Sequence, residues 1–498
     1  MATRFELDTL KMRIAQAELQ PLDLHQRIQR ALQGLILDGT LAPGLRLPAT
    51  RSLATALGVA RDTVENAYVQ LQRDGYIARQ QGSGSFVSDS LGQRLRGAPA
   101  QRRASRPAAT LATLATPTSG LSRRGEAILA SGGIQDHRQV RAFATGLPET
   151  RSFPLATWTR LQRQAQKDPA ALLHGDPQGC EALRTAIATY LNLERGARCS
   201  PDQVLVLSST RQGLFLCAQL LVDEGRPILL EDPGYIGARR AFEAAGTRVL
   251  PVPVDAKGLS TEALWADRSG ASCVYVTPSH QYPTGATLPL QRRLELIGWA
   301  AERRGWIIED DYDSEFHYDG LPTACVQGLD DQQRTLYLGT LSKALYPGLR
   351  LGYMVLPPAL VPAFTHARSI IDGHSPQVLQ LTLARFMEDG HYNAHVRAMR
   401  KLYAQRQGVL VDALERHLPS VVQTLRPPGG LQLPCLLAEG WTEARTQALA
   451  ARAGLLLPGL SRLYLGAEKR QGWLLGYSAL SDHEIEGAVR RLADALGA

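Results

Sequence analysis

From about residue 141 to the C-terminus, short apolar runs rich in β-branched residues alternate with longer stretches of helical spacing. QVLVLSS, RPILLE, ASCVYVT, GWIIED and TLYLG read as strands, and LQRRLELIGWAAERRG reads as one of the helices between them. Strands this apolar on both faces suit burial between layers, and a strand that leads into a helix returns as a parallel neighbour. The expected fold class is α/β: a mainly parallel sheet covered by helices, with functional residues gathered at the carboxyl ends of its strands. No internal repeat, Walker sequence or G-x-G-x-x-G stretch is present, which removes the sequence support for the common nucleotide-binding folds.

A chain of 498 residues is longer than one core supports, so a further domain is expected. Residues 21–88 supply it. LHQRIQRALQGLILDG has helical apolar spacing and ends at Gly39. In LPATRSLATALGVARDTVENAYVQLQRDGYI, Leu53, Ala54 and Leu57 line one short helix, Gly58 breaks it, and Val64, Ala67, Tyr68 and Leu71 line a second. YIARQQGSGSFV then reads as two short strands around a Gly-Ser turn. Helix, turn, helix and wing together describe a DNA-binding module, whose second helix offers Arg61, Asp62, Thr63 and Asn66 near its N-terminus, where base edges are read. A small helical bundle with a solvated face is the competing reading of the two helices alone, and the wing argues against it.

Residues 1–20 are expected to form an N-terminal tail and residues 89–140 a flexible linker, rich in Ala, Arg, Pro and Thr. The net charge of +8 is mild for the length, but it clusters: residues 89–140 hold eight arginines against three acidic residues. A solvated linker and salt-dependent attraction to phosphates both fit that excess. The six cysteines form no C-x-x-C pair and several sit in apolar runs, so reduced thiols are expected, with neither disulfides nor a metal site. No signal sequence and no apolar run of membrane-spanning length occurs, which points to a cytoplasmic protein without a membrane partner.

Within the large domain, chemically distinctive residues fall at the strand ends. GWIIEDDYDSEF places Asp310 and Tyr312 two residues apart, TLYLGTLSK ends on Lys343 with Arg350 following, and EDPGYIG carries Tyr235. QVLVLSSTRQGLFL passes from strand to helix through Ser209, Thr210 and Arg211, whose backbone N–H groups suit an anion. Each feature alone is more often a surface lysine, a strand end or a helix cap. Together they supply an amine, an acid, phenols and a cationic cup, which is what pyridoxal phosphate requires.

Two resemblances extend this reading. The segment PGLRLPATRSLATALGVARDTVENAYVQLQRDGYIARQQGSGSFV resembles the winged helices of the GntR family, which implies DNA contacts by Arg51, Arg61, Thr63 and the wing glycine Gly82. Ala60 stands where that family usually has serine, and Asp62 and Glu65 add negative charge to the reading helix. The combination EDPGY, TPSHQYPTG, IIEDDYDSEF and TLSKALYPGLRLGY, within residues 141–498, resembles the fold type I aminotransferases. That likeness implies pyridoxal phosphate as cofactor, with Lys343 as the Schiff-base amine, Asp310 on the pyridine nitrogen, Tyr312 on the phenolic oxygen and Tyr235 stacked on the ring. It assigns the phosphate to Ser209, Thr210, Arg211, Ser342 and Arg350. The two together are similar to the MocR subfamily of transcriptional regulators. This implies a head-to-tail, domain-swapped homodimer on double-stranded DNA with paired half-sites, sensing pyridoxal phosphate, as PdxR-like members do, or an amine or amino acid.

Three departures bear on catalysis. Leu474 stands where these aminotransferases carry the arginine for a substrate carboxylate, His174 stands at a position often held by tyrosine, and Gln281-Tyr282-Pro283-Thr284-Gly285 replaces the usual Asn-Pro-x-Gly turn. The expectation is therefore a regulator that is not an enzyme, with the missing arginine tilting the signal toward pyridoxal phosphate itself. The alternative is a transaminase with an accessory DNA-binding domain.

Overall fold

The structure is a computed structural model that describes residues 5–16, 19–80, 83–88, 120–134, 139–318 and 324–497. The chain divides into two compact units, Met1–Thr116 and Pro117–Ala498. No described helix is long and apolar enough to cross a membrane.

The first unit contains helices α1 (Leu7–Ile14), α2 (Leu24–Leu37), α3 (Thr50–Leu57) and α4 (Arg61–Arg73), with strands β1 (Arg46–Leu47), β2 (Ile77–Gln80) and β3 (Gly84–Val87). The strands form one antiparallel sheet in the order β1-β3-β2, so β2 and β3 are the wing and β1 widens it. Leu53, Ala54, Val64, Ala67, Tyr68 and Leu71 are buried as their spacing predicts, whereas Leu57 is only half-buried. Gly58 closes α3 in the left-handed conformation, which makes the turn between the two helices.

Residues 1–20 are more than a tail. Leu10 of α1 is fully buried in the core formed by α2, α3 and α4, and Phe5, Leu7 and Ile14 pack around it. The segment is too polar overall to announce this, since one apolar stripe on an eight-residue helix is all it contributes. The segment expected to be a linker is also not uniform. Arg123–Ala130 is a helix, capped by the Ser122 hydroxyl, which accepts from the Gly125 N–H at 3.1 Å, and Arg124 pairs with Glu224 of the large unit at 3.3 Å. A serine cap and one exposed ion pair are local signals that a composition-based reading passes over.

The second unit is built on an eight-stranded sheet. In chain order its strands are β4 (Val204–Leu207), β5 (Pro227–Asp232), β6 (Arg248–Asp255), β7 (Gly258–Leu259), β8 (Cys273–Val276), β9 (Trp306–Asp311), β10 (Thr335–Thr340) and β11 (Gly352–Val355). Their spatial order is β4-β11-β10-β9-β8-β5-β6-β7. The pairs β10-β9, β9-β8, β8-β5 and β5-β6 are parallel, while β11 runs antiparallel to both neighbours and β7 antiparallel to β6. β8 and β10, inside the sheet, and even β4 at its edge are buried along their whole length, which is why they read as unbroken apolar runs. A separate antiparallel sheet, β12 (Val422–Thr424), β13 (Gln432–Leu437) and β14 (Gly472–Gly476), carries the C-terminal part.

Candidate functional site

The carboxyl ends of β10, β9, β8 and β5 lie side by side in the sheet, so residues distant in sequence converge at one edge. There they open onto a cavity of about 1030 Å³ whose wall includes Lys343, Asp310, Tyr312, Tyr235, Ser342 and Arg350. Ser209, Thr210 and Arg211, at the turn after β4, line the same cavity. All nine residues expected at a cofactor site therefore share one space.

Lys343 follows β10, and its ammonium donates to the Gly146 carbonyl at 2.6 Å. Gly146 has φ of +72°, and a Cβ there would come within 2.5 Å of the lysine nitrogen, so the close approach requires glycine. The segment bearing Gly146 is anchored on both sides. The Phe143 carbonyl accepts from the Gly476 N–H at 3.1 Å, and buried Glu149 accepts from Arg406 and from Arg151, each at 2.8 Å. Burial works to raise the Glu149 carboxyl, but Arg151 and Arg406 hold it down at about 2.

Asp310 is 3% exposed. One carboxylate oxygen accepts from the Tyr275 hydroxyl at 2.7 Å, and the other, equally buried, has no hydrogen-bond partner. Burial pushes this carboxyl up to about 7; the Tyr275 hydrogen bond and Lys343 oppose the rise, and the Asp311 charge adds to it. A carboxyl so placed is short of one cationic donor, which a protonated ring nitrogen would provide. Its neighbour Asp311 faces the opposite problem. Burial works to raise it too, yet Arg195 at 2.9 Å and the Tyr337 hydroxyl at 2.6 Å hold it below the usual carboxylate range.

The aromatic residues interlock. Tyr282 lies edge-on to both Tyr235, at 5.6 Å, and Tyr312, at 5.9 Å. It occupies the position before proline in the altered Asn-Pro-x-Gly turn, so a phenol ring stands where the asparagine amide was expected. Gln281 is consumed within that turn: its amide donates to the Pro233 carbonyl at 2.8 Å and accepts from the Thr284 hydroxyl at 2.7 Å. The Arg211 guanidinium donates to the Tyr235 hydroxyl at 3.3 Å, and a Cβ on Gly237 would meet the Tyr235 ring at 2.3 Å. Ser209 caps the helix Thr210–Leu221, accepting from the Gln212 N–H at 3.4 Å. His174 is exposed and meets His374 edge-on at 6.0 Å.

Tyr275 and Gly146 are the residues that sequence reasoning missed. Tyr275 lay inside a strand already recognised, and a lone tyrosine in a doubly buried strand must find a partner for its hydroxyl. Gly146 gave no such signal. Leu474 is 1% exposed and packs with Leu436, Leu460 and Leu463 in an apolar cluster flanked by Ile236 and Tyr282.

In the small unit, Arg51 and Arg61 are exposed on α3 and α4, and Thr63 is half-buried in the first turn of α4. Gly82 lies outside the described residues. No side chain caps α4, as expected with Ala60 in the capping position. Glu65 does not present a bare charge: Arg79 of β2 donates to it at 2.6 Å, and that bond holds its carboxyl below the ordinary range.

Comparison with known proteins agrees with both halves. Residues 24–87 match the family described as bacterial regulatory proteins, gntR family, and residues 142–492 match aminotransferase class I and II. Across both, the chain is 35% identical to "Probable rhizopine catabolism regulatory protein MocR" of Rhizobium meliloti, covering 95% of this chain and 93% of that protein. It belongs to the MocR subfamily of GntR-type transcriptional regulators. It is also 30% identical to the pyridoxine biosynthesis transcriptional regulator PdxR of Corynebacterium glutamicum, covering 96% and 97% of the two chains. TauR of Rhodobacter capsulatus, another HTH-type transcriptional regulator, is 33% identical over 95% and 96%. Among solved structures, LysN, an α-aminoadipate aminotransferase of Thermus thermophilus, superposes with a TM-score of 0.68 at 27% identity, covering 74% of this MocR-type chain and 96% of its own. The large unit thus has the fold type I aminotransferase fold, joined to a GntR-type winged helix.

Proposed function

We propose that the large unit of this MocR-type regulator is a ligand sensor that takes pyridoxal phosphate at Lys343 and turns amino acids over little or not at all. The observation that carries the reading is the buried, unpartnered oxygen of Asp310 in the same cavity wall as Lys343. Bound there, pyridoxal phosphate supplies an aldehyde that primary amines attack. Lys343 is the amine of this chain that would hold it, and Asp310 would keep a proton on the ring nitrogen. Tyr235 would cover one ring face and Tyr312 would donate to the ring oxygen. Ser209, Thr210, Arg211, Ser342 and Arg350 would hold the phosphate.

Weak turnover follows from Leu474. An amino-acid carboxylate meets no guanidinium at that position, and so loses a bidentate contact that orients a substrate for proton transfer. The working form is a head-to-tail homodimer in the cytoplasm, with Arg51, Arg61 and Thr63 of each copy on one half-site of operator DNA. The signal is the cofactor's own arrival or a small amine captured by the loaded site. In either case the ligand must bind two arrangements of the protein unequally.

Absorption titration with pyridoxal phosphate and footprinting on the DNA upstream of the chain's own gene test this reading. Wild type gains the absorbance of lysine-bound cofactor, and its footprint changes with ligand. Lys343→Ala gains no such absorbance and loses the footprint's response. Robust turnover of any amino acid, with DNA binding indifferent to cofactor and amines, overturns the reading.

A further inference from the structure

Tyr282 and Tyr312 sit on two different turns, one after β8 and one after β9, and the turns are tied together by residues that do not line the cavity. Arg195, 5% exposed, makes the first tie: it donates to the Ser279 hydroxyl of the β8 turn and to the Asp311 carboxylate of β9, each at 2.9 Å. His280 and Asp313 make the second. Nδ1 of His280 lies 2.9 Å from Oδ1 of Asp313, and both side chains are buried. On the cavity side the rings of Tyr282 and Tyr312 meet edge-on at 5.9 Å. Tyr312 thus stands between two acids, Asp311 and Asp313, each fastened to the turn that carries Tyr282.

The two ties differ in how much backs them up. Asp311 keeps the Tyr337 hydroxyl at 2.6 Å as a second partner. The His280–Asp313 contact stands alone: His280 Nε2 and Asp313 Oδ2 are buried and make no hydrogen bond among the described residues. Burial raises the Asp313 carboxyl, and His280 supplies the largest opposition to that rise. The imidazole is also wedged in place. It stacks on His317 at 5.8 Å with the ring planes 24° apart, and a Cβ on Gly429 would come within 2.6 Å of its Cε1. Losing the imidazole would strand a buried carboxylate on the residue that follows Tyr312.

We propose that His280 is a positioning residue of the cofactor subsite: held against Asp313, it fixes the β9 turn so that the Tyr312 hydroxyl meets the ring oxygen of bound pyridoxal phosphate. This inference rests on the reading of the site as one for pyridoxal phosphate. His280 itself lines no part of the cavity, and its effect passes through one buried hydrogen bond to the neighbour of Tyr312. A donor on the ring oxygen stabilises negative charge there, and so weakens that oxygen's hold on the proton it shares with the Lys343 nitrogen. The pH at which the absorbance of the lysine-bound cofactor changes therefore reports whether the Tyr312 hydroxyl is in place.

The test loads the full chain with pyridoxal phosphate and follows cofactor absorbance against pH. Tyr312→Phe moves the midpoint of the change upward by about one pH unit from wild type. His280→Phe, which fills the same space without the hydrogen bond, moves it in the same direction by at least about half as much. The double variant moves it no further than Tyr312→Phe alone, because both substitutions act through one hydroxyl. His280→Ala replaces His280→Phe in both measurements if the larger ring does not fold. A midpoint unchanged by the histidine substitution, or a shift that adds to that of Tyr312→Phe, overturns the inference and leaves the cofactor reading intact. A midpoint indifferent to Tyr312→Phe removes Tyr312 from the ring oxygen, and this inference with it. Failure of the wild-type chain to take up pyridoxal phosphate overturns the cofactor reading as well.

Discussion

At the scale of single residues, the site is defined by what its buried polar atoms lack and what they already have. Asp310 has one oxygen satisfied by Tyr275 and one left open. Removing the tyrosine hydroxyl leaves both oxygens stranded in the sheet. Tyr275→Phe should therefore cost about 1–3 kcal/mol of stability in the cofactor-free chain, measured by denaturant unfolding. On the proposed reading, added pyridoxal phosphate should stabilise this variant and the wild type alike, since the ring nitrogen would supply a donor to the same carboxylate. Legibility at this scale followed chemistry. Lys343, Asp310 and Tyr312 stood out because polar groups at the ends of apolar strands are conspicuous. Tyr275 was hidden within such a strand, and Gly146 acts through its carbonyl and its missing side chain, which no residue pattern advertises.

Elements were legible where their pattern was local. The runs before Ser208, Glu231, Thr277, Asp310 and Thr340 all became strands because each is apolar on both faces. β6 was missed because Pro251 and Pro253 interrupt RVLPVPVD, yet it is a strand. Its outer side meets only two residues of β7, at Val254 and Asp255, so most of that edge asks for no N–H donors. α1 was missed for the opposite reason, being polar apart from one stripe. Leu10→Ala should destabilise the small unit by about 2–3 kcal/mol, read as an earlier unfolding transition and weaker operator binding. The wing and the reading helix are joined through Arg79 and Glu65. Arg79→Ala should cost at most about 1 kcal/mol of stability, the pair being partly exposed. It should weaken operator binding disproportionately at low salt, because the freed Glu65 charge then repels phosphate, which gel-shift titrations across salt concentrations would show.

The whole molecule contains separate cores: one confined to residues of the small unit, the others to the large one. Calorimetry should accordingly resolve two transitions, with pyridoxal phosphate raising only that of the large unit. The large unit's transition should also depend on pH in a definite direction. Burial raises the carboxyls of Glu231, Glu309, Asp310 and Glu315 to about 7 each. Between their unfolded values, near 4, and 7, the folded state binds more protons than the unfolded one, so stability falls as pH rises through that window. Glu149, held at about 2, acts oppositely: its contribution is complete above its unfolded value of 4.5 and is lost in acid. The transition temperature should peak at about pH 4, the lower edge of that window, where four losses begin to outweigh the one gain. On the proposed reading it should decline toward neutrality less steeply once cofactor is bound, because a cationic ring beside Asp310 would keep that carboxyl ionised.

Leu474 has a consequence for redesign as well as for chemistry. It is part of an apolar cluster with Leu436, Leu460 and Leu463. A guanidinium introduced there alone would be enclosed by leucines without an acid, at a cost of several kcal/mol. Leu474→Arg would therefore unsettle the C-terminal sheet before it could greet a substrate carboxylate. Anyone grafting that contact would have to remake the leucines around it in the same step.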